Sequence, residues 1–274
     1  MRNRNMSLML TTLILLSGAT AILLSGATAA KAADNDQAAV DKAIASLASY
    51  DFGTDRNSLK PIDDAVVATY GMTAARKELE GKLAAVLSTG ASRDAKDYVC
   101  RVLRVIGTAD CVPALANLLG EKDLSHGARY ALQSIPAPEA GKALRDAMPK
   151  LNGSLKIGVI GSLGARRDAE SVAAMAACLT DTDTAIAAAA AHALGTIGNG
   201  DAAKALTDFV AKAPEEVKPA ATDACLVCAE RLLADGKNSE ALTVYKLLSG
   251  EDQPKHIRLA ATNGMLAALG KKSE

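Results

Sequence analysis

Thr184-Ala-Ile-Ala-Ala-Ala-Ala-Ala-His-Ala-Leu-Gly-Thr-Ile-Gly198 is the stretch that decides the fold. It ends on a small residue, a large apolar residue, two others, another large apolar residue and a stop, and the same ending recurs upstream. Ala193-Leu194 leads to Ile197-Gly198, Val159-Ile160 to Leu163-Gly164, Ala131-Leu132 to Ile135-Pro136, and Val102-Leu103 to Ile106-Gly107. From Gly107 to Gly198 the stop residues stand 29, 28 and 34 positions apart. A period of that length marks a stacked array of helical units. The runs after each stop keep the same step: Leu115, Leu144, Met175 and Leu206 are separated by 29, 31 and 31 positions.

Each unit therefore reads as helix, short turn, helix, short turn. The pairs are 96–106 with 111–119, 125–135 with 139–148, 154–163 with 168–179, and 184–197 with 201–210. Composition agrees. Of the 274 residues 49% are hydrophobic, only 3% are aromatic and none is Trp. Ala and Leu dominate, and they are the best helix formers. No run of β-branched and aromatic residues alternates with polar ones long enough for a strand. The expected fold is all-α, a right-handed α-solenoid of stacked helical hairpins.

Upstream, 36–50 and the helices expected after Pro61 and from Thr73 form an N-terminal cap or divergent repeats over 33–93. In the helix after Pro61, Ile62, Ala65, Val66 and Tyr70 fall on one side, and Gly71 ends it. The regular units fill 94–217. An irregular end occupies 218–274, where 229–248 looks partly like a tetratricopeptide pair. Acidic turns such as Asp181-Thr182-Asp183 stand before first helices and suit capping.

Residues 1–32 read as a secretory signal peptide: Arg2 and Arg4, an uncharged run from Asn5 to Ala30, and small residues at Ala30 and Ala32. Cleavage is expected after Ala32, or else after Ala29. The duplicated Leu-Leu-Ser-Gly-Ala-Thr at 15–20 and 23–28 lengthens the run, so an uncleaved anchor is the alternative. No Cys follows it to carry a lipid. The body is expected outside the cytoplasm, in the periplasm or at the cell surface. Without 1–32 the chain keeps 28 basic and 31 acidic residues, a formal −3. That is no footprint for nucleic acid or an anionic membrane.

The ending Val-x-x-x-Ala-Leu-Gly-x-Ile-Gly followed by Asp-x-x-x-x-x-Leu resembles the short bacterial HEAT-like repeat of the phycobilisome-lyase type. The match is best over 153–182 and 184–212, looser over 94–122 and 124–150, and weak over 218–270. The body as a whole resembles exported bacterial HEAT-repeat proteins, which implies an armadillo/HEAT-like superhelix and leaves the activity open.

Little on that scaffold is arranged for chemistry. His126, His192 and His256 are not spaced as ligand pairs. No His-Glu dipeptide occurs, although the dimetal hydroxylase built on HEAT-like repeats uses such pairs. Gly158, Gly161 and Gly164 follow no strand, so they suit helix packing with Gly164 as a C-cap rather than a phosphate loop. No catalytic residue, metal or cofactor is expected. The candidate partner-binding residues are Arg166 and Arg167, whose guanidinium groups could grip an anion from a turn, and Lys142 and Arg145 on a second helix. The competing reading of that turn is a solvated one in which Asp168 caps the next helix. The five cysteines all fall on expected helices, where packing as small hydrophobes is the plain reading, while export permits a disulfide between Cys225 and Cys228 or between Cys100 and Cys111.

The expected function is a non-catalytic scaffold that holds an unidentified protein partner on the surface lined by second helices. The alternative is a lyase-like or enzyme-accessory protein that presents a small ligand such as a tetrapyrrole. Export and the scarcity of aromatic residues argue against it.

Overall fold

The computed structural model describes residues 36–270, so the expected signal segment lies outside the described residues. These hold 14 α-helices and no strand. A first row contains α2 (Lys60–Ala68), α4 (Arg93–Ile106), α6 (Ser125–Ser134), α8 (Gly153–Ala165), α10 (Thr184–Ile197), α12 (Lys218–Ala234) and α14 (Lys255–Ala268). A second row contains α1 (36–46), α3 (Thr73–Val86), α5 (Val112–Ala116), α7 (Pro138–Ala147), α9 (Val172–Cys178), α11 (Gly200–Val210) and α13 (Asn238–Leu248). From α4 onward each first-row helix packs on the next, and α3–α5–α7 and α9–α11–α13 do the same in the second row. The chain is an α-solenoid.

The repeat predicts which side chains meet. Leu103, Leu132, Leu163 and Leu194 of the first row and Leu115, Leu144, Met175 and Leu206 of the second are fully buried between the rows. Truncating such a Leu to Ala costs about 2–5 kcal/mol. The core they start runs unbroken from Val40 to Ala261. It crosses both expected internal boundaries, because α3 packs on α4 across the first and α12 packs on α10 and α11 across the second.

Several local expectations change. Second helices expected over 111–119 and 168–179 are shorter, α5 and α9, each entered through a 3-10 turn at Ala109–Cys111 or Ala169–Ser171. Tight turns are common where a helix begins. Asp183 and Asn199 do cap, accepting from the backbone N–H of Ala185 and Ala202. Asp168 sits at the cap position but makes no side-chain capping bond. Gly198 closes α10 in the left-handed conformation at φ 62°, with its N–H on Leu194 O. Gly164 does not close α8: it is buried inside the helix, and Arg167 takes the left-handed position at φ 51°. Tyr70, expected on the helix beside Ile62 and Val66, lies past its end and is 83% exposed, because α2 ends at Ala68 and the chain leaves the helical track.

Candidate functional site

Half-buried Arg166 and exposed Arg167 are both engaged by other groups of the protein, which corrects the reading of them as a free anion clamp. Arg166 reaches back one unit to the C-terminus of α6. Its Nη1 donates to Leu132 O at 2.7 Å, Gln133 O at 3.2 Å and Ile135 O, and its Nη2 donates to Ala137 O at 3.1 Å. Helix C-termini leave carbonyls without partners, and a planar cation with several donors satisfies them. Burial pulls the Arg166 pKa down, opposed by the Asp168 carboxylate. Arg167 points the other way along the array. Its Nε donates to Ile197 O at 3.1 Å and its Nη2 to Asp235 Oδ2 at 2.6 Å. The two adjacent arginines thus tie the α8–α9 turn to the ends of α6, α10 and α12.

Arg145 is likewise occupied. It donates from Nη1 to Asp168 Oδ2 and from Nη2 to Glu170 Oε2, the latter at 2.7 Å. The Asp168 carboxylate therefore holds the preceding second helix rather than capping α9. Glu80 of α3 has a matching role nearer the N-terminal end of the array, one that sequence reasoning missed. It is buried and accepts from Thr108 N at 2.7 Å, Thr108 Oγ1 at 3.0 Å and Cys111 N at 3.2 Å. Its only sequence signal is an acid at an inward position of the helical stripe, between Leu79 and Leu83. Arg129 bridges units too, with Nη1 on Ser162 Oγ at 3.3 Å.

Lys142 remains at the surface, paired with Asp146 at 2.6 Å one turn along α7. That pair stands on the rim of an open cleft of about 530 Å³ between α5 and α7. Ala116, Ala143 and Ala147 floor it, and Glu139, Lys150 and Asn117 complete its polar edge. Small residues on facing helices leave the groove open. Of the four expected partner-binding residues, only Lys142 borders it.

Cys225 and Cys228 lie one turn apart on α12, buried and unbridged, which corrects the disulfide. Both face the core beside Ala224 and Ala229, and all five cysteines are free and buried. Burial pushes the thiols of Cys100, Cys111, Cys225 and Cys228 from 9.0 up to about 12. They behave as small apolar side chains, not as nucleophiles. Below pH 9 these thiols are protonated in the folded and unfolded chain alike, and full stability is present. Above it the unfolded chain ionises first, so stability falls progressively until about pH 12. A melting temperature that is flat to pH 9 and drops steeply beyond is expected. A plateau extending to pH 11 would contradict the buried thiols. Among the described residues, no three His, Cys, Asp or Glu side chains converge as metal ligands.

Residues 143–225, from α7 into α12, match the HEAT repeats family. No curated protein matches the chain. Among solved structures, one engineered protein is 18% identical with a TM-score of 0.41, covering 85% of this chain and 69% of its own. A second engineered protein is 18% identical with a TM-score of 0.37, covering 77% and 97%. The complex of CpcE and CpcF of phycocyanin lyase from Nostoc sp. PCC7120 is 19% identical with a TM-score of 0.38, covering 82% and 93%. The protein is an α-solenoid whose residues 143–225 are similar to HEAT repeats.

Proposed function

We propose that the protein is a non-catalytic scaffold working outside the cytoplasm, and that it holds a protein partner along the groove between α5 and α7. The observation that carries this reading is the groove itself: about 530 Å³, open, with an alanine floor and a charged rim. An apolar floor bounded by polar groups suits an extended segment or a helix laid along it. Its position on the second-helix row is where a solenoid presents its repeated surface. HEAT repeats commonly mediate protein interactions, and the polar groups buried between units are spent on structure rather than gathered around a reactive centre.

Ala143→Arg tests the groove. The site is half-buried on α7, Arg is a good helix former, and its side chain would fill the floor. The expected result is a protein that co-purifies with the wild-type chain from its native envelope extract and is lost with Ala143→Arg, at an unchanged melting temperature. A preparation that takes up haem or a bilin with a gain in melting temperature, and that captures no protein, would replace the scaffold with ligand presentation.

A further inference from the structure

A second surface lies away from the groove, where the α2–α3 turn, the last turn of α4 and the outer face of α6 meet. Tyr70, Met72 and Val105 are 83%, 60% and 59% exposed there, and Tyr130 is 43% exposed. Two arginines bind them into one strip. The Arg76 guanidinium lies 5.9 Å from the Tyr70 ring centroid, and its Nη2 donates to Val105 O at 3.3 Å. The Arg104 guanidinium lies 4.8 Å from the Tyr130 ring centroid. Tyr130 stacks in turn on His126, with centroids 6.0 Å apart and planes 10° from parallel.

The charges on this strip are unbalanced. Among the described residues Lys77 pairs with Asp110 at 2.7 Å and Arg101 with Asp97 at 3.4 Å, while Arg76 and Arg104 have no carboxylate within ion-pair distance. Beside Arg76 a cleft of about 370 Å³ opens between α3 and the α4–α5 turn, with Met72, Thr73, Ile106 and Thr108 among its lining. Glu80, at its base, is saturated by Thr108 and Cys111.

Stacking on tyrosine restricts each guanidinium before any partner arrives, so less freedom is lost when a carboxylate docks. Tyr, Met and Arg are also the residues enriched at the centres of protein interfaces. From these contacts we infer that the strip docks an acidic segment of a partner protein. Its carboxylates sit on Arg76 and Arg104, and one large apolar side chain enters the cleft beside Met72 and Ile106. The occupant follows from charge complementarity: two oriented cations without counter-charges, next to an apolar recess whose own acids are already paired. The surface is separate from the α5/α7 groove and stands whether or not that groove binds.

The test is a random dodecapeptide display library panned against the full chain, followed by fluorescence anisotropy of the enriched peptides. Enriched sequences should carry Asp and Glu around a Leu, Ile or aromatic residue and should bind more weakly as salt is raised. Arg76→Ala/Arg104→Ala should weaken them about tenfold or more with the melting temperature unchanged, whereas Ala143→Arg in the groove should leave them unaffected. Neutral or basic enriched peptides, insensitivity to the arginine pair, loss in the groove variant instead, or no enrichment would each overturn the assignment. So would tighter binding of a single-stranded oligonucleotide than of any acidic peptide.

Discussion

Arg166→Met is expected to lower stability by on the order of 3 kcal/mol and to split the unfolding transition. The side chain reaches the carbonyls of Leu132, Gln133, Ile135 and Ala137 from the following unit. A hydrogen bond from a charged donor contributes about 1.5–3 kcal/mol, and a buried carbonyl left without a partner costs about 1–3 kcal/mol. The four bonds do not add, because they share one cation and some of the freed carbonyls reach water. The second effect follows from the array. Units of such an array contact chiefly their neighbours, so the fold coheres through the interfaces between units. Arg166 crosses the α6–α8 interface and Arg167 continues to Ile197 and Asp235. Cutting the first link should let α2–α7 and α8–α14 melt apart, seen as two steps in thermal circular dichroism. Hydrogen exchange at the α6 C-terminus should rise before that of α10. Arg166→Lys should not rescue the protein, since a point charge on a flexible stem cannot reach four carbonyls in a fixed fork. A Lys variant that melts like wild type, in one step, would dismiss the role assigned to the fork.

The Arg166 fork also marks the limit of what the sequence makes legible. The period carried by Leu103, Leu132, Leu163 and Leu194 is legible because burial alone determines it, and the structure buries all four. The helix ends are less legible. Whether Gly164 caps α8 or packs within it depends on Ala193 of the next first-row helix, and no local propensity carries that. The Arg166-Arg167 pair looks like a free cluster for the same reason: apart from Asp235 its acceptors are backbone carbonyls, which look alike at every position of a sequence. Asp168 has the place of an ordinary cap, and the Arg145 guanidinium claims it instead. The groove is half legible. Lys142 stands out in the sequence, but the alanines of the floor become a feature only when α5 and α7 are side by side. The strip around Arg76 has a clearer signal: Val105 is apolar at an outward position of α4, directly after Arg104.

The close approach of first-row helices rests on two contacts one repeat apart, and these predict opposite outcomes for glycines that look equivalent in sequence. A Cβ on Gly164 of α8 would lie 2.9 Å from Ala193 Cα, and one on Gly195 of α10 would lie 2.7 Å from Ala224 O and 3.1 Å from Ala224 Cα. Gly164 to Gly195 and Ala193 to Ala224 are both steps of 31 residues, so each helix rests its alanine on the glycine of the one before. By helix propensity alone Gly→Ala gains about 1 kcal/mol. At Gly195 the obstacle is backbone of α12, which cannot rotate aside as a side chain would. Forcing packed helices apart costs about 1–3 kcal/mol, so the clash wins. Gly195→Ala is therefore expected to destabilise, and Gly195→Val to do so further, adding a β-branched penalty to the larger displacement. Gly161 is the control. It lies in α8 on the exposed side with nothing within 4 Å of the added Cβ, so Gly161→Ala should gain about 0.5–1 kcal/mol. Urea denaturation of the three variants decides the matter through the order of their midpoints. Gly161→Ala should lie above wild type, then Gly195→Ala below it, and Gly195→Val lowest. If Gly195→Ala matched the gain at Gly161, the first-row helices could separate without loss, and the glycine–alanine contact would not set their spacing.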